Sequence, residues 1–185
     1  MLAKTPKPQR SPSVLWTDLL LVAFLIGFDV VARLLPHAPG FMPVAASALF
    51  AGRMLRIGGL APIVPVAAMA LSGVTMGPDD WRVALIVYAA ISVPAFAGLL
   101  SQRWRGAAVP FLVMLPCSLF FFAASNFAVW AFSGMYGLTW QGLAECYIAA
   151  LPFLQNTLAG DMFWTAALFG GAYMVQSLPA LSRSR

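Results

Sequence analysis

Residues 107–131 read AAVPFLVMLPCSLFFFAASNFAVWA. No Asp, Glu, Lys or Arg interrupts the run, and its charge-free surroundings extend from Gly106 to Ala144. Crossing the hydrocarbon of a bilayer takes about 20 mostly apolar residues in a helix. This stretch exceeds that length. It reads as a membrane-crossing helix.

The same signature recurs on either side. Residues 57–78, 83–102 and 162–182 are also free of charged side chains. They place helices near 59–76, 82–101 and 157–179. Near the N-terminus, Val14 to Leu35 is too long for the apolar core of a signal peptide, which has roughly 7–15 residues. It reads as an uncleaved first helix after a polar tail over 1–13, with a second short tail over 181–185. Between them, residues 14–180 form one membrane domain.

Composition agrees. Of 185 residues, 61% are hydrophobic and 9% charged, and the mean hydropathy is +0.84. Soluble domains carry about a quarter charged residues, so a soluble enzyme, a nucleic-acid binder and a disordered chain are excluded. The net charge of +5 is spread in small groups, which suits topology signals better than a nucleic-acid stripe. Cys117 and Cys146 form no CxxC, and His37 stands alone, so neither a metal nor a cofactor is expected. Lys4 and Lys7 follow no glycine-rich loop, which excludes a P-loop ATPase.

A short second segment, Val44 to Leu55, begins after Pro43 and is rich in small residues. It could span or re-enter. Charge counting chooses the span. With six helices and the N-terminus inside, Lys4, Lys7, Arg10, Arg53, Arg56, Arg103, Arg105, Arg183 and Arg185 fall on the inner side, and only Arg33 and Arg82 on the outer. Both termini are then cytoplasmic, in a bacterial inner membrane. Trp16, Trp81, Trp104 and Trp130 fall near helix ends, where aromatic belts lie. Within 132–156, Trp140, Leu143, Ala144, Tyr147, Ile148 and Leu151 share a helical face while Gln141 and Glu145 lie on another. This predicts a short amphipathic outer helix ending at Pro152. The expected fold is thus an all-α membrane protein of six transmembrane helices, with a short amphipathic helix before the last.

Polar residues in such segments are costly and call for a reason. Asp29 and Arg33 share a face of the first helix, and either line a cavity or pair together. Asn126 and Trp130, also four apart, offer an amide beside a flat ring for a small heterocycle, or an interhelical hydrogen bond and a belt tryptophan. Asn156 and Thr157 read as N-cap candidates of the last helix, with Asp161 in its early turns. Glu145 lies on the polar face of the amphipathic helix, and Tyr136 and Tyr147 are lid or anchor candidates. All of these map to the outer half under one topology, as an outward-opening pocket would require. The candidate ligand residues are Asp29, Asn126, Trp130, Tyr136, Glu145, Tyr147, Asn156 and Asp161. Ala23 and Gly27 form a small-xxx-small pair, for internal packing or for docking a partner helix. No nucleophile–base pair is evident, so no catalytic residue is assigned. An intramembrane enzyme would require Asp29 and Asp161 to meet as a carboxylate pair.

Several motifs carry a resemblance. They are Pro36-His37-Ala38-Pro39-Gly40-Phe41-Met42-Pro43, Ala48-Leu49-Phe50-Ala51-Gly52, Asn126-Phe127-Ala128-Val129-Trp130, Tyr136-Gly137-Leu138-Thr139 and Pro152-Phe153-Leu154-Gln155-Asn156-Thr157, with Gly160-Asp161. Together they resemble an uncharacterised bacterial integral-membrane family, which in turn is similar to the substrate-binding (S) subunits of energy-coupling-factor vitamin transporters. The resemblance implies six helices and an outer ligand site near Asn126, Trp130, Asn156 and Asp161. It also implies a docking face around Ala23 and Gly27 for a coupling membrane subunit that works with ATPases. The expectation is a small-molecule-binding uptake subunit without catalysis of its own, in contact with membrane lipid. The alternative is a structural or assembly protein of the inner membrane with no ligand.

Overall fold

Apolar runs bounded by Pro, Gly and charge become helices here. The computed structural model describes residues 12–73 and 80–182. Its order is α1 (Pro12–Leu34), α2 (Val44–Met54), a 3₁₀ turn (Gly58–Leu60), α3 (Ile63–Gly73), α4 (Trp81–Leu100), α5 (Val109–Phe132) and α6 (Trp140–Ser182). Among the described residues there is no strand. Most of the expected polar tail over 1–13, the end of the tail over 181–185 and the end of the third segment lie outside them. Pro12 and Ser13 already belong to α1. The helices α1, α4 and α5 are long and apolar enough to cross a membrane.

Hydrogen bonds between distant segments define two ends of the bundle. At one end, Asp18 near the start of α1 accepts from the Ile57 amide at 2.7 Å. Arg53 at the end of α2 donates to the carbonyls of Ser101 and Trp104 at 2.5 and 3.0 Å. At the other end, Arg33 donates to Ser72 Oγ at 2.7 Å and lies 3.3 Å from Met42 Sδ. There the Arg82 guanidinium also stands over the Phe132 ring, and Trp130 Nε1 donates to the Gly137 carbonyl at 3.0 Å. These bonds place the ends of α1 to α4 alternately at the two ends of the bundle. The short α2 traverses the bundle and does not turn back. Arg53, Arg56, Arg103 and Arg105 gather at the first end, and Arg33 and Arg82 lie at the second.

At 1.5 Å per residue α2 is only about 16 Å long, yet it sits at the centre. Every residue from Val44 to Gly52 is buried, and all five other helices touch it. A helix apolar on all sides belongs inside. Small residues bring its backbone close to α4. A Cβ added at Gly98 would stand 2.5 Å from the Leu49 carbonyl oxygen and 2.9 Å from the Gly52 Cα. Outward-facing side chains are apolar as well, with Leu20, Leu85, Leu100 and Leu112 all more than 60% exposed. Asp29, Ser47, Ser118, Asp161 and Thr165 are buried. An apolar exterior around a partly polar interior suits lipid as the surrounding solvent.

The expected break at Pro152 is absent. The amphipathic segment and the last helix form one 43-residue helix, about 64 Å long. Asn156 and Thr157 are consequently interior residues and not N-caps, and the Thr157 hydroxyl donates back to the Phe153 carbonyl at 2.9 Å. A proline inside a helix removes one backbone bond without ending it when packing holds the chain. Contacts show that α6 departs from the axis of α5. Tyr147 reaches Ala123, and Asp161 reaches Ser118. Between those points α5 rises about 7.5 Å while α6 covers about 21 Å. The loop before α2 fills the region next to this stretch. Gly40, at φ +83°, comes so close to Thr157 that a Cβ there would lie 2.6 Å from its hydroxyl.

Candidate functional site

The six helices converge on a cavity of about 140 Å³. α1 contributes Arg33, the loop Gly40 and Met42, α2 Val44 and Ala45, and α3 Met69. Ile91 of α4 and Phe121 of α5 complete the apolar wall, and α6 supplies Thr157 and Asp161. Its polar side chains are thus a guanidinium, a hydroxyl and a carboxyl. Arg33 and Asp161 come from opposite ends of the chain, and both are held in position. Arg33 is anchored by Ser72 and Met42. Asp161 is buried, and its Oδ2 accepts from Ser118 Oγ at 2.5 Å. Ser72 is itself oriented by donating to the Ala68 carbonyl at 2.7 Å.

Chemically, the cavity presents one cation and one carboxyl to a common space within thioether, aliphatic and aromatic walls. Such a space discriminates by complementary polar contacts at fixed points, with shape set by the apolar lining. Among the described residues, no group of His, Cys, Asp and Glu is placed to hold a metal.

Of the eight residues singled out for ligand contact, Asp161 lines this cavity. Asp29 lies elsewhere in the interior, wholly buried, with Oδ1 accepting from Ser47 Oγ at 2.7 Å and Oδ2 without a hydrogen-bond partner among the described residues. Ser47 of α2 occupies one of its oxygens, while Arg33 turns to Ser72. The two aspartates are bonded to different serines on different helices.

Asn126, Trp130 and Tyr147 form a separate group where α5 meets the start of α6. Asn126 Nδ2 donates to the Phe122 carbonyl at 2.8 Å. The Tyr147 hydroxyl donates to the Ala123 carbonyl at 2.6 Å, with its ring edge-on to Phe122. Cys146 Sγ donates to the Asn126 carbonyl at 3.4 Å. The bonds of Cys146 and Tyr147 tie α6 to α5, while that of the Asn126 amide lies within α5. Glu145 is exposed and accepts from Gln141 at 2.9 Å. Tyr136 and Asn156 are half-buried and line no part of the cavity.

Sequence reasoning did not select Met42, Met69, Ile91 or Phe121, which carry no polar signal in so apolar a chain. Arg33 was visible through its cost in an apolar helix, and Thr157 was read as a cap. Ala23 and Gly27 point away from the bundle. Ala23 is exposed, and a Cβ at Gly27 would meet nothing within 4 Å. Among the described residues, this face of α1 is left open.

No curated protein and no solved structure is detectably similar to the chain. Residues 14–181, nearly its whole length, match a family described as a family of unknown function (DUF6580), and the chain is a member of that family.

Proposed function

We propose that the protein is a membrane-embedded subunit that binds a small molecule in the cavity between Arg33 and Asp161 and works in uptake with a coupling membrane subunit and ATPases. The observation that carries this reading is the convergence of a guanidinium and a carboxyl, from α1 and α6, on one apolar-walled space. About 140 Å³ suits a compact ligand, since a cavity near 150 Å³ holds a benzene-sized molecule. The ligand class is a small molecule with an apolar body, an acceptor or anionic group for Arg33 and a donor for Asp161. In this reading all six helices cross a bacterial inner membrane. The end with four arginines faces the cytoplasm, by the positive-inside rule, together with both termini. The cavity then lies toward the outer side, and the open face of α1 around Ala23 and Gly27 is where the coupling subunit docks. The chain performs no catalysis of its own.

Mass spectrometry of small molecules retained by the purified protein tests this. A retained compound is expected, and Asp161→Asn and Arg33→Gln should each weaken its binding by about 10- to 100-fold, the worth of a charged hydrogen bond. Purification without any such compound, from folded protein, counts against it.

The bonds of Cys146 and Tyr147 to carbonyls of α5 favour a second reading, a structural membrane protein whose polar groups serve helix association. In that case Asp161→Asn alters stability and no small molecule is retained.

A further inference from the structure

A larger concavity, of about 770 Å³, lies at the arginine-rich end between α2, the α4–α5 loop, α5 and α6. We propose that it binds one anionic phospholipid, a role independent of the uptake reading. Its wall changes character along its length. The rim carries Arg53, Arg105 and Gln176, and the floor is formed by Phe111, Ala166 and Phe169. From Gln176 to Ala166, α6 covers about 15 Å. That is half of a hydrocarbon core of about 30 Å, the depth of one leaflet. A phospholipid has the same layout, with an anion at the interface and acyl chain beneath.

The rim is built to hold negative charge. The Arg53 guanidinium is fixed by two backbone carbonyls, which orient it without neutralising it. Arg105 is exposed beside it. Trp104, also lining the site, is 60% exposed at the level where amphipathic rings meet headgroups. Below the rim, Gly170 leaves the α6 face bare, since a Cβ there would meet nothing within 4 Å. A free phosphate shares the headgroup chemistry but makes no use of this apolar floor.

Native mass spectrometry of the full-length protein, titrated with phosphatidylglycerol or phosphatidylcholine, decides the matter. One phosphatidylglycerol should be retained in preference to phosphatidylcholine by at least about fivefold, from about one favourable contact per arginine near a membrane surface. Arg105→Gln, at an exposed position, should reduce that preference by about fivefold. Gly170→Leu should lower retention of phosphatidylglycerol by filling the floor, with thermal stability recorded to confirm folding. Equal retention of the two lipids, or indifference to both substitutions, overturns the proposal. So does displacement of phosphatidylglycerol by millimolar inorganic phosphate together with indifference to Gly170→Leu, which describes an anion site only.

Discussion

Replacing Gly98 with alanine tests whether the contact of α2 with α4 organises the bundle. On helix propensity alone the change stabilises, by about 1 kcal/mol in a helix interior. Packing opposes it. The new Cβ would lie 2.5 Å from the Leu49 carbonyl oxygen and 2.9 Å from the Gly52 Cα, where ordinary contact begins at 3.4 Å. Both obstacles are backbone atoms, so no rotamer change relieves them, and the helices must separate by about 0.9 Å. Overpacking of this kind costs about 1–3 kcal/mol and occasionally more. With backbone atoms this close the cost lies in the upper part of that range, about 2–3 kcal/mol, which leaves a net loss of about 1–2 kcal/mol after the propensity gain. For a chain of this length that is a fall in Tm of roughly 2–8 °C. Gly27→Ala supplies the control, because its Cβ meets nothing within 4 Å and only the propensity term remains. Intrinsic fluorescence against temperature, in detergent, with monodispersity checked by size exclusion, reads both. The reasoning is refuted if Gly98→Ala melts at or above the wild-type temperature.

Two further predictions concern the ends of the bundle. Asp18→Ala strands the Ile57 amide and should destabilise by about 1–3 kcal/mol, while Asp18→Asn keeps an acceptor and should recover most of that in the same melting assay. In a background with Cys117 and Cys146 replaced by alanine, single cysteines at Arg56 and Arg103 should react with a membrane-impermeant maleimide from one side and a cysteine at Arg82 from the other. Labelling of Arg56 and Arg103 positions from opposite sides would contradict the alternating path of the helices.

The helices of this fold were legible where one physical demand dominates. Long charge-free runs located α4 and α5 within a few residues, and the length of its apolar stretch located α1, since an apolar run of that length has few alternatives to a helix in lipid. The distribution of arginines favoured a crossing over a re-entrant path for Val44–Leu55, and the bonds of Asp18 to Ile57 and of Arg33 to Met42 put the two ends of that segment at opposite ends of the bundle. Legibility ended where the outcome depends on what lies across an interface. Asp29 and Arg33 share a face, but a shared face does not say that Ser47 and Ser72 stand opposite them. Pro152 breaks helices by local rules, yet α6 continues through it, against α5 on one side and the loop at Gly40 on the other. The cavity could not be assembled from spacing, because Arg33 and Asp161 are joined only by the folded bundle and its methionines look like any others in the sequence.

A centre as short as α2 has a consequence for biogenesis. If all six helices cross as proposed, about 16 Å of helix must bridge a hydrocarbon layer of about 30 Å, and the non-helical backbone at its two ends is tolerable at that depth only when other protein screens it. Emerging from the ribosome after α1, this segment has nothing yet to screen it, because α4 and α5 are still to be made. Its final seat must be taken late, once those later helices have arrived, so the element first in importance to the core is among the last to settle.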